Sequence, residues 1–159
     1  MPATSFNHVS VHARSLEESI AFYTGLFGME RLPSPTFSVP TAWLRVGDQE
    51  LHLFERETSS PAFHHFALNV DDFEAVYVRA QELSVRDLES WAPCTYVLPD
   101  GAVQFFVRDP AGNIVEIDWP DVTTLDPSVV TDLRQLADDV AQSEEAARAT
   151  LYLPREPAS

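Results

Sequence analysis

The chain has 159 residues, 45% hydrophobic and 22% charged, a balance that fits one ordinary globular domain or one built from two small halves. Its net charge of −15 makes a nucleic-acid partner unfavourable, since an acidic surface repels phosphate backbones. All ten of its basic side chains are arginine, and without lysine neither Schiff-base catalysis nor a Walker-type phosphate loop is available.

Cys94 is the only cysteine, which rules out an intramolecular disulfide and points to a reducing cytoplasm. No apolar run approaches the roughly 18 residues of a membrane span. Met1 to Ser10 has no cationic stretch leading into an apolar one, so no signal peptide is expected.

Phe6 to His12 alternates, with Val9 and Val11 on one face and His8, Ser10 and His12 on the other, the pattern of a half-buried strand. Ser15 caps a predicted helix with Leu16, Ile20, Tyr23 and Phe27 at helical spacing and Gly28 as its stop. A short strand is predicted at Met29 to Leu32, a longer one at Thr36 to Val46 and another at Glu50 to Glu55, the last two joined by a Gly47-Asp48 turn. After a polar break the phrase returns. Phe63 to Val70 alternates, with His65, Ala67 and Asn69 on one face. Asp71 or Asp72 caps a helix to about Leu83. Strands are predicted at Val85 to Glu89, Cys94 to Leu98, Ala102 to Arg108 and Asn113 to Trp119, with a strong turn at Asp109-Pro110-Ala111-Gly112.

Each half therefore reads βαβββ. The predicted fold is α+β: two paired βαβββ modules, about 5–57 and 62–120, whose curved mixed sheets enclose a cavity. Residues 121–159 form an extension. Asp126-Pro127 and the apolar stripe from Val129 to Val140 predict a helix, and the tail after Leu153 reads as loose.

Four residues share one description: His8, His52, His65 and Glu116. Each sits within a predicted strand beside apolar neighbours that point the other way, so all four are assigned to the concave faces. A buried carboxylate without a partner is costly, and a divalent metal removes that cost while explaining the histidines. Two histidines and a carboxylate suit Fe(II); three histidines and a glutamate also suit Zn, Ni, Mn or Co. One such histidine alone is more often partial core, the role expected of His12 and His64. The repetition of position between the halves is what favours a site.

The stretches "NHVSVHARSLEESIAFYTGLFGME", "ELHLFE", "HHFALNVDDFEAV" and "DPAGNIVEIDWP" resemble the vicinal oxygen chelate superfamily, over about Phe6 to Trp119. That family includes glyoxalase I, bleomycin- and fosfomycin-resistance proteins, methylmalonyl-CoA epimerase and extradiol dioxygenases. The resemblance implies metal ligands at His8, His65 and Glu116, and places His52 at a fourth-ligand or acid–base position. It implies a metal-dependent enzyme on a small oxygen-chelating substrate, acting as an isomerase or lyase through a metal-stabilised enediolate or oxyanion. The alternatives are an Fe(II)-dependent ring-cleaving dioxygenase and a non-catalytic drug-binding protein. Where a dioxygenase carries a tyrosine before the final turn, this chain has Phe105 and Phe106. A homodimer is also implied.

Trp43, Arg45, Phe106 and Arg108 are candidate substrate contacts: aromatic walls with a cation for an anionic oxygen. His52, Glu116 and Tyr96 are the candidates for catalytic proton transfer. Cys94 is assigned to packing.

Overall fold

A computed structural model describes residues 5–152 of the chain. The expected loose tail lies outside the described residues. Nine strands and three α-helices are found among them. The chain divides into two compact units, Met1–Phe66 with Val107–Val115, and Ala67–Phe106 with Glu116–Ser159.

In the first unit, β1 (His8–Ala13), β2 (Glu30–Leu32), β3 (Thr41–Val46) and β4 (Gln49–Glu55) form a sheet of order β1-β4-β3-β2. The β1–β4 pairing is parallel and the others antiparallel. Helix α1 (Leu16–Phe27) starts at Ser15, whose hydroxyl accepts the Glu18 N–H, and ends at Gly28 with φ 63°. Only glycine enters that left-handed region without a steric penalty. Leu44, Leu51 and Leu53, 0–1% exposed, supply the core side of the sheet together with Tyr23 and Leu26 of the helix. Each leucine so buried contributes on the order of 1.5–3 kcal/mol. The strand expected over Thr36 to Val46 is shorter, beginning at Thr41, because Pro40 cannot donate to a ladder.

The Asp109–Gly112 turn is a structural hub of this unit. Asp109 is buried and accepts from the Tyr23 hydroxyl (2.9 Å), the Ala111 and Asn113 N–H groups (2.9 and 2.8 Å) and the Asn113 amide (2.7 Å). The same amide donates to the His12 carbonyl at 2.8 Å, tying the turn to β1. Burial, with the Asp109 charge beside it, pushes the Tyr23 phenol well above its ordinary range.

The second sheet runs β5 (His65–Asn69), β8 (Ile114–Trp119), β7 (Val103–Arg108), β6 (Thr95–Val97) and β9 (Leu133–Gln135) in spatial order. In the second unit, α2 (Phe73–Glu82) is capped by Asp72, which accepts the Ala75 N–H at 2.9 Å. Phe73 and Tyr77 of α2 pack edge-on against Phe105, with centroids 5.1 and 5.7 Å apart. The helix therefore covers the face that carries Phe105. By strand alternation Gln104 and Phe106 point to the opposite, inner face.

Two expected elements differ. Val85 to Glu89 is not a strand but a single bridge at Arg86. The Arg86 guanidinium stacks over Tyr77 and Phe105 and bonds Asp132 at 3.0 Å and Thr95 at 3.3 Å, which holds this segment by its side chain. The helix expected over Val129 to Val140 is absent. One turn follows Asp126, β9 adds to the sheet parallel to β6, and α3 (Leu136–Asp139) is a single turn. Asp132 takes the Tyr77 hydroxyl and Arg86, while its carbonyl takes the Thr95 N–H. Those three bonds hold the backbone extended where the apolar stripe alone predicts a helix.

Candidate functional site

The first sheet presents its polar residues opposite the leucine core. His8 is the register partner of Glu50, Ser10 that of His52, and His52 that of Trp43. Partners across a ladder share a face, so these side chains converge. Three rings stack in a column: His8 on His52 at 4.1 Å and 16°, and His52 on Trp43 at 4.3 Å and 4°. His52 is buried, and its Nε2 lies 2.7 Å from Glu50 Oε2. A cleft of about 510 Å³ opens over this column, lined among others by Ser10, Asp48 and Phe54.

The sequence pattern finds His8, His52 and Trp43 in this column but passes over Glu50. The signal is nonetheless present: Glu50 stands two residues before His52 on an alternating strand, so both must share a face. Arg45 also points to this side, where it pairs with Glu30 at 3.3 Å. His65 begins β5 and is exposed, with Nδ1 3.3 Å from the Phe63 carbonyl. With Ser10, His12 and His64 it lines a smaller cleft of about 250 Å³. The His12 Nε2 is buried there without a hydrogen-bond partner. Arg108 donates to the Gly112 carbonyl at 2.8 Å and so supports the hub turn.

In the second unit Glu116 and Asp118 are both 6% exposed and lie two apart on β8. Trp119 approaches Phe73 on the helix side, which puts both carboxylates on the inner face. Burial, then the Glu116 charge and a hydrogen bond to it, push the Asp118 carboxyl up to about 8. The sequence pattern does not single out Asp118, though its spacing from Glu116 is the same signal as that of Glu50 and His52. Tyr96 shares this face as the register partner of Gln104. Its hydroxyl donates to Asp139 at 2.7 Å, and that bond, with burial, raises it to about 12. The phenol is thus held protonated at neutral pH, a donor rather than a base. Phe106, 2% exposed, stacks with Trp91 at 6.4 Å. Cys94 is buried, and burial pushes its thiol up, as a packing residue requires.

Among the described residues, no three of His, Cys, Asp or Glu are placed so as to hold a metal ion together. Imidazole nitrogens and carboxylate oxygens are the donor types that borderline divalent ions take.

A family model described as the glyoxalase/bleomycin resistance protein/dioxygenase superfamily matches residues 5–117. The chain is 27% identical over 124 residues to the protein YwbC of Bacillus subtilis, covering 72% of this chain and 96% of that one. It is 25% identical over 127 residues to Glyoxylase I 4 of Arabidopsis thaliana, covering 72% of this chain and 70% of that protein. The crystal structure of a glyoxalase family protein from Bacillus anthracis superposes with a TM-score of 0.58 at 25% identity, over 74% of this chain and 96% of the other. Residues 118–159 lie beyond the span matched by the family model.

Proposed function

The chain belongs to the glyoxalase/bleomycin resistance protein/dioxygenase superfamily, and we propose that within it the protein is a metal-dependent enzyme acting on a small oxygen-chelating substrate. The reaction is isomerase or lyase chemistry through an enediolate or similar oxyanion. His8, His65 and Glu116 are the residues that would hold the ion, with His52 or its neighbour Glu50 as the further donor. A divalent ion bound by these groups supplies Lewis acidity toward adjacent substrate oxygens.

What carries this reading is the His8–Glu50–His52 group on the inner face of the first sheet. His52 Nε2 and Glu50 Oε2 are 2.7 Å apart, a hydrogen-bonded imidazole–carboxylate pair at the cleft floor. Such a pair takes a proton from a substrate carbon and returns it to a neighbouring atom. Trp43, stacked under His52, fixes the ring plane and keeps water from one side of it. The protein works as a cytoplasmic homodimer in this proposal; no described helix is long and apolar enough to cross a membrane.

The test is elemental analysis of protein purified without added metal, joined to assays of 2-oxoaldehyde adducts and of oxygen uptake with catechols. Stoichiometric metal lost on His65→Ala, with turnover of an adduct, is the expected result. Absence of metal, and ligand binding untouched by His65→Ala, would sink the proposal. Oxygen uptake with a catechol would assign the ring-cleaving chemistry instead. The ring column favours a second reading, a non-catalytic binder of planar molecules, which metal-free binding abolished by Trp43→Ala would establish.

A further inference from the structure

Residues 118–152, the described part of the chain beyond the family span, do not trail away from the second unit. Leu125 and Val130, 9% and 1% exposed, pin the start of the extension, and β9 docks on the sheet edge at β6. From there the chain turns onto the inner face. Asp139 takes the Tyr96 hydroxyl at 2.7 Å and Arg134 at 2.9 Å. Further on, the Leu151 N–H donates to Asp100 at 2.7 Å, in the turn between β6 and β7. The Tyr152 hydroxyl is buried without a hydrogen-bond partner. Burial, then the charges of Asp118, Asp100 and Glu116, push Tyr152 up to about 12, so its ring end lies within electrostatic reach of the β8 carboxylates. A sheet face bearing two carboxylates would ordinarily meet water, yet Glu116 and Asp118 are each 6% exposed.

We infer that residues 133–152 are a strap closed over the inner face of the second sheet, latched at Asp139 and Asp100, and that Glu116 becomes accessible to a ligand only when the strap lifts. The two latches differ in strength. Asp139 takes the Tyr96 phenol and is braced within the strap by Arg134, whereas Asp100 takes one N–H of the strap, that of Leu151, besides the Ala102 N–H of its own turn, next to a tyrosine hydroxyl that makes no hydrogen bond. The Leu151–Tyr152 end is therefore the one that opens, with β9 and Asp139 as its hinge. A hydroxyl desolvated without a partner weakens the closed state and keeps opening cheap. The strap is regulatory by construction: it makes access to one face of the site depend on a segment that the matched family domain does not include.

Carboxyl footprinting of the full chain tests this, with a water-soluble carbodiimide and glycine ethyl ester read by peptide mass spectrometry. In the native chain Glu116 and Asp118 should label slowly. Leu151→Pro removes the latching N–H, and Tyr152→Ala removes the ring. The double variant should label both carboxylates about fivefold or more faster, as expected of a local opening. Trypsin should also cut faster after Arg148, while Asp109 in the first unit stays protected. Faster cutting with unchanged labelling overturns the strap, and so does cutting that does not change. If Asp109 labels too, the double variant has unfolded, and Asp139→Ala is read by the same criteria. No metal enters the experiment, so a chain found to bind none leaves its outcome unaffected.

Discussion

Glu50 stands between two histidines: it faces His8 across the β1–β4 ladder and holds His52 by a 2.7 Å contact on its own strand. In the proposed site this one carboxylate therefore competes with His52 for the role of further metal donor. If Glu50 is the ligand, Glu50→Ala lowers metal affinity about tenfold or more, while His52→Ala keeps the metal and lowers turnover. Isothermal titration with Mn(II) and steady-state kinetics on both variants separate the roles. The opposite pattern makes His52 the ligand and Glu50 its orienting partner.

Asp109 gathers four donors inside the first unit, and removing it leaves the Tyr23 hydroxyl and the turn amides unsatisfied. Asp109→Ala should cost roughly 3 kcal/mol or more, and Tyr23→Phe only about 1 kcal/mol, because the carboxylate keeps its other donors. Urea unfolding followed by circular dichroism checks the order. Equal losses would show that the turn does not depend on the other three bonds.

Asp132 is the clamp of β9. Burial works against its charge, but Thr95, Arg86 and Tyr77 together hold its carboxyl below the ordinary value. A depressed carboxyl contributes stability that is present above its unfolded value, near 3.8, and is lost as pH falls through the folded one. Hydrogen exchange should show β9 losing protection on acidification before the first sheet does. Asp132→Ala should produce the same loss at neutral pH, at a cost of about 2 kcal/mol.

The alkaline side acts on the strap. Tyr96 and Tyr152 are both raised to about 12 from 10.0. In that interval the folded chain holds protons that the unfolded chain has released, so stability falls as pH rises from about 10 to 12 and is fully present below 10. Trypsin cleavage after Arg148 should accelerate across this range, measured in short pulses. Tyr96→Phe should flatten much of the response, because no phenol then remains to ionise against Asp139. An unchanged profile in that variant would assign the transition to Tyr152 or to Tyr23, whose phenols are also raised.

Much of this protein is legible along the chain itself. The Ser15 and Asp72 caps, the Gly28 stop and the strand alternation around His8, His52, His65 and Glu116 are local signals, and the elements they announce form where expected. Faces follow from alternation because a strand's side-chain period is set by covalent geometry. The family, too, is carried by short contiguous stretches.

Pairing, register and the course of the extension were decided elsewhere. That Glu50 meets His8 depends on which residue of β4 stands opposite β1, and a slip of one residue would turn every side chain to the other face. The apolar stripe from Val129 to Val140 is a genuine helical pattern, yet Asp132 finds Tyr77 and Arg86 from distant segments and the chain runs as a strand instead. Local propensity contributes tenths of a kcal/mol per residue, whereas a charged, buried hydrogen-bond network outweighs it by an order of magnitude. The sequence thus determined the main elements and which way each strand residue faces. Only the tertiary structure decided which of them meet, and that the segment after β9 bonds Tyr96 and Asp100.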